Sequence, residues 1–318
     1  MKNFLNSIFE KRIDQIPALD GLRALAITMV VASHSRNDFI HAGGIEAPQA
    51  VFNVIDYLWA GVDLFFVLSG FLIGRILFKE IKRTGSVDVI PFLLKRGFRI
   101  WPLYYFVCFI SLSKLAFSHQ LPALQAILPD FLFLTNYFSE HLAFGTWSLS
   151  IEEQFYILTS VILLISSRFL VHSGKRIAVM LGGLLILAPF IRVFTWHHYS
   201  MIGMSSFDIE WNILHNFITT HFDGLAMGLL FAALQVFTPE HPTVKKTLMT
   251  VLLGSVVALS ILTVWNRVYF EYSLAAAGFG AAVWHCLHTP NSIFAKFFSW
   301  SGFQVISRLS YGMYLWYR

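Results

Sequence analysis

Residues 57-YLWAGVDLFFVLSGFLIGRILF-78 set the class of this protein. The stretch carries only two charges, Asp63 and Arg75, in an otherwise apolar run. As a helix rising about 1.5 Å per residue it is roughly 33 Å long. That matches a bilayer hydrocarbon core of about 30 Å. Similar runs recur at 19–40, 98–116, 147–167, 177–197, 222–237, 247–265, 269–288 and 305–318. Composition agrees: of 318 residues, 56% are hydrophobic and only 13% charged, and 32 are Phe. A soluble domain is nearer 25% charged, and a disordered chain needs the opposite balance. The expected fold is an all-α, polytopic transmembrane helical bundle. The net charge of +5 does not point to nucleic acid, because the basic residues recur in short clusters between apolar runs rather than in one patch.

Those clusters orient the chain, since Lys and Arg favour the cytoplasmic side. The run 122–138 holds Pro122, Pro129 and Asp130 and is short. If it does not cross and the N-terminus is inside, 18 of the 23 basic residues fall on the inner face. Arg36, Lys114, Arg192, Arg267 and Arg318 remain outside. If it crosses, the split drops to 14 against 9. The expectation is nine crossings, a cytoplasmic N-terminus and a large external segment over 114–146. Trp59, Trp101, Trp147, Trp196 and Trp265 near run ends suit an aromatic belt. Cys108 and Cys286 lie in apolar runs without metal or redox spacing, so no metal is expected. No internal repeat is visible.

Ionisable residues inside spans are costly and mark candidate sites. His34 lies eleven residues after Arg23 on the first, outward run, about 16 Å higher. Asp63 lies high on the second run and Arg75 low. Glu152 and Glu153 sit one to two turns below the outer end of the fourth run, and Asp223 starts the sixth. Depth therefore groups His34, Asp63, Glu152 or Glu153, and Asp223 in an outer layer. It groups Arg23, Arg75, Arg96 and Arg99 in an inner one. A His beside carboxylates suits proton transfer. An arginine cluster suits phosphates, which Arg binds in forked pairs. Structural readings stand beside these. A lone His often serves a helix–helix hydrogen bond, and Arg75, Arg96 and Arg99 also satisfy the positive-inside rule. Gly70, Gly74, Gly182 and Gly183 read as helix-packing positions.

Four segments in order carry a resemblance: 17-PALDGLRALAITMVVASHS-35, 61-GVDLFFVLSGFLIGRIL-77, 95-KRGFRIWPLYY-105 and 146-TWSLSIEEQFYIL-158, with a weaker echo in 309-LSYGMYLW-316. Together they resemble the acyltransferase-3 family of membrane O-acyltransferases, strongly over about residues 17–158 and thinly over 160–300. The resemblance implies transfer of an acyl group, commonly acetyl, from acyl-CoA to a hydroxyl of a cell-envelope or exported glycan or glycolipid. It implies a multi-pass protein of a bacterial-type inner membrane. The family's Arg-x10-His pattern falls on Arg23 and His34, its Arg-x-x-Arg on Arg96 and Arg99, and its acidic position on Glu152.

On that basis His34 is expected as general base on the acceptor hydroxyl or as a covalent acyl carrier. Glu152 or Asp63 would orient it. Arg96 and Arg99, with Arg23 or Arg75, would hold the donor phosphates. The family's last motif continues past Tyr-Leu-Trp with a His and one more span. Here Tyr317 and Arg318 follow Trp316, so residues 1–318 are expected to be a single membrane domain truncated at its C-terminus. Two rivals use the same residue types: a proton-coupled transporter or flippase, and an inactive truncated acyltransferase. No nucleophile elbow and no phosphate-binding Gly-rich loop occurs. The external segments 114–146 and 197–221 are expected to help choose the acceptor.

Overall fold

The computed structural model describes residues 16–43, 57–119, 124–138, 145–170, 174–238 and 267–316, with Ile55 and Leu142. All regular structure among them is helical. The helices are α1 Pro17–Gly43, α2 Gly61–Thr84, α3 Val89–Phe117, α4 Leu124–Phe131 and α5 Trp147–Leu170. After them come α6 Gly174–Met201, α7 Asp223–Phe237, α8 Arg267–His288, α9 Ile293–Phe298 and α10 Ser301–Trp316. Four helical segments are long and apolar enough to cross a membrane: Leu58–Thr84, Val89–Phe117, Trp147–Ser167 and Arg176–Met201. The predicted run 247–265 lies outside the described residues.

Helix ends follow local chemistry. Gly85 closes α2 in the left-handed region (φ 81°), its N–H returning to Ile81 O at 2.8 Å. That left-handed cap favours glycine. α3 starts at Val89, nine residues before the apolar run at 98, and so takes Lys95, Arg96 and Arg99 into a helix. Pro91 lies in its first turn, where a missing N–H costs nothing. The doubtful run 122–138 contains only the eight-residue α4 and then turns. At about 12 Å it is too short to cross. Tyr104 and Tyr105 of α3 donate to the Asp130 and Phe131 carbonyls at 2.9 and 3.0 Å, and hold this segment against the bundle.

α2 is the central helix. Its most apolar window is 72% buried, against 22% for those of α3 and α6. The outer helices instead expose Phe106, Phe109, Val179, Ile186, Phe190 and Phe194, an apolar surface suited to lipid. α7 crosses α2 at very short range through Gly70 and Gly74 on one helix and Gly224 and Gly228 on the other. A Cβ on Gly70 would lie 2.1 Å from Leu225 O, and one on Gly228 would lie 2.1 Å from Val67 O. Small residues at four-residue spacing are how membrane helices gain close packing. The readings of Gly70 and Gly74 are met. Gly182 and Gly183 instead face open space on α6.

The close crossing brings the N-terminal end of α2 against the start of α7. Arg192 of α6 closes over that junction. Its five N–H groups make five hydrogen bonds: Nε to Tyr269 O at 2.7 Å, one terminal nitrogen to Thr220 O and Asp223 Oδ2 at 2.8 and 2.6 Å, and the other to Asp223 Oδ1 and Ser273 Oγ at 3.2 and 2.5 Å. Both charged side chains are fully buried. Arg192, expected on the outer side of the membrane, is a fully buried core residue of the bundle. The aromatic belt needs correction. Trp59 and Trp147 turn inward onto His215, at ring separations of 6.1 and 4.3 Å.

Gly228→Leu drives a branched side chain into the α2 backbone, and overpacking of a tight core costs about 1–3 kcal/mol. The variant is expected to lower the melting temperature of the purified protein in detergent. Gly182→Ala, facing open space, leaves it unchanged.

Candidate functional site

Two polar clusters sit along the face shared by α1, α2 and α5. In the lower one, Glu152 Oε2 accepts a hydrogen bond from Tyr156 Oη at 2.8 Å, one turn further along α5. Tyr156 has spent its only proton on Glu152, so Ser69 of α2 donates to it across 2.5 Å. Arg96 of α3 lies over the Tyr156 ring, 5.5 Å from its centre. A guanidinium over an aromatic face is favoured by the ring quadrupole. Arg23 pairs with Asp20 at 3.2 Å and faces Glu152, Tyr156 and Arg96. The neighbouring Glu153 is buried. Its Oε2 accepts from Trp101 Nε1 of α3 at 3.3 Å, while Oε1 has no hydrogen-bond partner among the described residues.

The upper cluster is built where α1 and α2 meet the segment before α7. His34 Nδ1 lies 2.9 Å from the Val30 carbonyl, one turn back in α1. A carbonyl only accepts, so Nδ1 carries hydrogen and the neutral ring has its lone pair on Nε2. Above α2, a π-helical stretch Ile209–Leu214 leads into His215 and then His221. Such widened turns recur at functional sites. His221 Nε2 lies 2.9 Å from Asp63 Oδ1, and its Nδ1 lies 2.7 Å from the His215 carbonyl. His215 Nδ1 meets Tyr272 Oη at 3.2 Å. Burial, reinforced by His221 and His34 nearby, pushes His215 well below the usual imidazole range, so it is neutral near pH 7. Trp147 and Phe66 form a wall between the clusters, their rings 6.3 Å apart.

The predicted inner set is partly assembled. Arg23 and Arg96 share the lower cluster. Arg99 follows one helical turn after Arg96 on an exposed surface, and Arg75 lies about 9 Å of rise below Ser69. The predicted outer set divides. His34 and Asp63 belong to the upper cluster, and Asp223 lies next to it through Arg192. Glu152 does not join them: it faces the arginines, because its side chain turns toward Tyr156 and Ser69.

Of the groups expected to orient His34, Glu152 bonds Tyr156 and Asp63 Oδ1 bonds His221, while His34 Nδ1 faces Val30 O. Sequence reading missed His215, His221, Tyr156, Ser69 and the inward role of Trp147. One signal was present for His221: it precedes Asp223 by two residues at the mouth of an apolar run, 221-HFDGLAMG-228. Among the described residues no cluster of His, Cys, Asp or Glu suits a metal ion.

Helix α10 braces the helices that carry the lower cluster. Ser307 of α10 donates to Asp20 at 3.4 Å, Tyr311 Oη to Ile100 O at 2.7 Å and Tyr314 Oη to Gly145 O at 2.5 Å. Ser148 Oγ lies 2.5 Å from the same Tyr314 hydroxyl. Residues 307–314 thereby tie the start of α5, which carries Trp147 and Glu152, to α1 and α3.

Comparison with known proteins gives the family. The chain is 26% identical to the peptidoglycan O-acetyltransferase OatA of Listeria monocytogenes, over 95% of its own length and 49% of that relative. It is also 26% identical to the O-acetyltransferase OatA of Staphylococcus aureus, over 95% of its own length and 50% of that relative. The chain thus spans about half the length of the curated relatives it matches. No solved structure matches it. The acyltransferase-3 sequence family, described as an acyltransferase domain, matches residues 16–318, and the chain belongs to that family.

Proposed function

We propose that this protein is a membrane O-acyltransferase that moves an acyl group, acetyl in the first instance, from cytoplasmic acyl-CoA to a hydroxyl of a cell-envelope glycan. Peptidoglycan, which the Listeria relative's name gives as its acceptor, is the first candidate. The supporting observation is the pair of polar clusters within one helical bundle, Arg96 and Arg23 with Glu152 and Tyr156 in one and His34 with His215 in the other. The helices around them have apolar outer surfaces.

The donor is read as entering from the basic face, which carries Lys79, Lys82, Arg83, Lys95 and Arg99. Arg96 and Arg99, one turn apart, suit its phosphates. Arg23 is already matched with Asp20 and Glu152, which suits it to a site that a further anion enters only transiently. His34 is the base: Nε2 holds the lone pair and takes the proton of the acceptor hydroxyl as its oxygen attacks the thioester carbonyl. The C–S bond then breaks, and the proton passes to the departing thiolate. In the covalent version, His34 Nε2 attacks the thioester carbonyl and the C–S bond breaks to release the thiolate; the hydroxyl oxygen then takes the acyl group as the bond to Nε2 breaks, and its proton passes to the thiolate. The N-terminus lies on the cytoplasmic side in either version.

General-base help is worth about 10²–10⁴-fold. His34→Ala in proteoliposomes is expected to lose transfer from radiolabelled acetyl-CoA to a soluble glycan by about that factor. A folded variant with full activity contradicts both versions, and glycan uptake without acyl transfer favours a transporter. Hydrogen bonds to a charged group contribute about 1.5–3 kcal/mol. Arg96→Ala is therefore expected to raise the KM for acetyl-CoA by about tenfold or more, with a smaller change for the glycan, as steady-state kinetics will read.

A further inference from the structure

We infer that Asp63 and His221 hold one shared proton between them, and that this proton keeps the external segment 209–222 docked over His34. The inference rests on the reading of His34 as the reacting base. It concerns residues that position His34 rather than touch the substrate.

The hydrogen bonds require the proton. His221 Nδ1 faces the His215 carbonyl at 2.7 Å, so Nδ1 is an N–H. Its other nitrogen faces Asp63 Oδ1 at 2.9 Å. If Asp63 were ionised and His221 neutral, two lone pairs would meet at that distance inside the protein. The contact is attractive only with a proton in it. Either His221 is an imidazolium against a carboxylate, or Asp63 is a carboxylic acid donating to a neutral ring. Both forms contain one proton more than an ordinary neutral His beside an ordinary carboxylate. Both side chains are fully buried, and Asp63 Oδ2 has no hydrogen-bond partner among the described residues. Loss of the shared proton would thus strand a buried negative charge without a donor.

The ring of His221 is held in place by aromatic neighbours from three helices. They are Phe66 of α2 at 5.4 Å, Trp147 of α5 at 5.7 Å and Tyr272 of α8 at 4.0 Å. The charged and titratable groups around the pair are His215 in the same segment, Tyr272 of α8, and Asp223 with Arg192 from α7 and α6. Glu210 and Glu271 stand beyond Tyr272, and His34 beyond His215. Arg192 is occupied by Asp223, Ser273 and two carbonyls, so its donors are not available to replace the lost proton. The attachment of segment 209–222 to α2 then depends on protonation. At neutral pH the pair is closed, and His215 lies within electrostatic reach of His34. At alkaline pH the proton leaves, Oδ1 and Nε2 repel, and the segment lifts.

The sign follows for the rate. The acid side of the kcat profile reports His34, which works only when neutral. The alkaline side reports the Asp63–His221 pair, which works only when protonated. Asp63→Asn separates this from a merely structural role. The Asn side-chain N–H donates to His221 Nε2 at any pH, and no proton remains to be lost. The variant is expected to have a lower kcat than the parent, but its residual activity has no alkaline decline. From about pH 8 to about pH 10 the parent loses about fivefold or more, and the variant changes by less than about twofold. The same alkaline decline in the variant overturns the inference.

A second measurement on the parent protein uses no activity and decides the matter if the variant does not fold. Hydrogen–deuterium exchange of residues 209–222, corrected for the intrinsic effect of pH, is expected to rise about tenfold over the same range. Unchanged protection overturns the inference. Because the exchange experiment is blind to chemistry, its failure leaves the reading of His34 standing. An active His34→Ala variant removes that reading without touching the docking.

Discussion

The buried Arg192–Asp223 pair is the contact on which the rest of this bundle depends. A guanidinium in an apolar interior is tolerated only when every N–H finds an acceptor, and removing one partner of such a pair costs about 3–5 kcal/mol. Here the five donors reach α7, α8 and the turn before α7. Two chain segments distant in sequence, 220–223 and 269–273, must therefore converge on α6. Once α7 starts at that place, the glycines of α2 and α7 let the two backbones close. Asp63 then comes within reach of His221. The polar face that carries the chemistry is a consequence of where this one charge is satisfied.

The two clusters divide the work of a group transfer by chemistry. The lower cluster sets Arg23 and Arg96 among Asp20, Glu152, a tyrosine and a serine, so its guanidiniums are the groups there that suit an anion. The upper cluster is nearly neutral and made of imidazoles, which is where a proton is best moved near pH 7. Phe66 and Trp147 between them limit water, and a thioester that reaches past them is shielded from hydrolysis. The hydroxyls of α10 couple the position of α5 to that of α1 and α3.

Much of this was legible in the sequence, for physical reasons. Apolar runs and the bias of Lys and Arg report the bilayer, so the all-α bundle and the short, non-crossing 122–138 run were readable. Gly70 and Gly74 were readable because small residues at four-residue spacing have one main use in a membrane helix. Depth was readable from rise per residue, but facing was not. Counting placed Glu152 with His34, whereas its side chain turns about the helix axis toward Arg23 and Arg96. Arg192 read as an outer-face charge, because nothing local announces an acceptor 31 residues away. His221 escaped because its partner Asp63 lies 158 residues earlier, and a single chain records no trace of such pairing.

The central claim is that one chain carries an acyl group from a donor on the Arg96 face to a hydroxyl on the His34 face. The most direct measurement uses sealed proteoliposomes with a single orientation. Labelled acetyl-CoA is supplied only on the Arg96 side and a glycan acceptor only on the other. The account predicts labelled ester on the glycan, dependent on the protein, with coenzyme A released on the donor side. Label that reaches the glycan only when donor and acceptor share one compartment would contradict it.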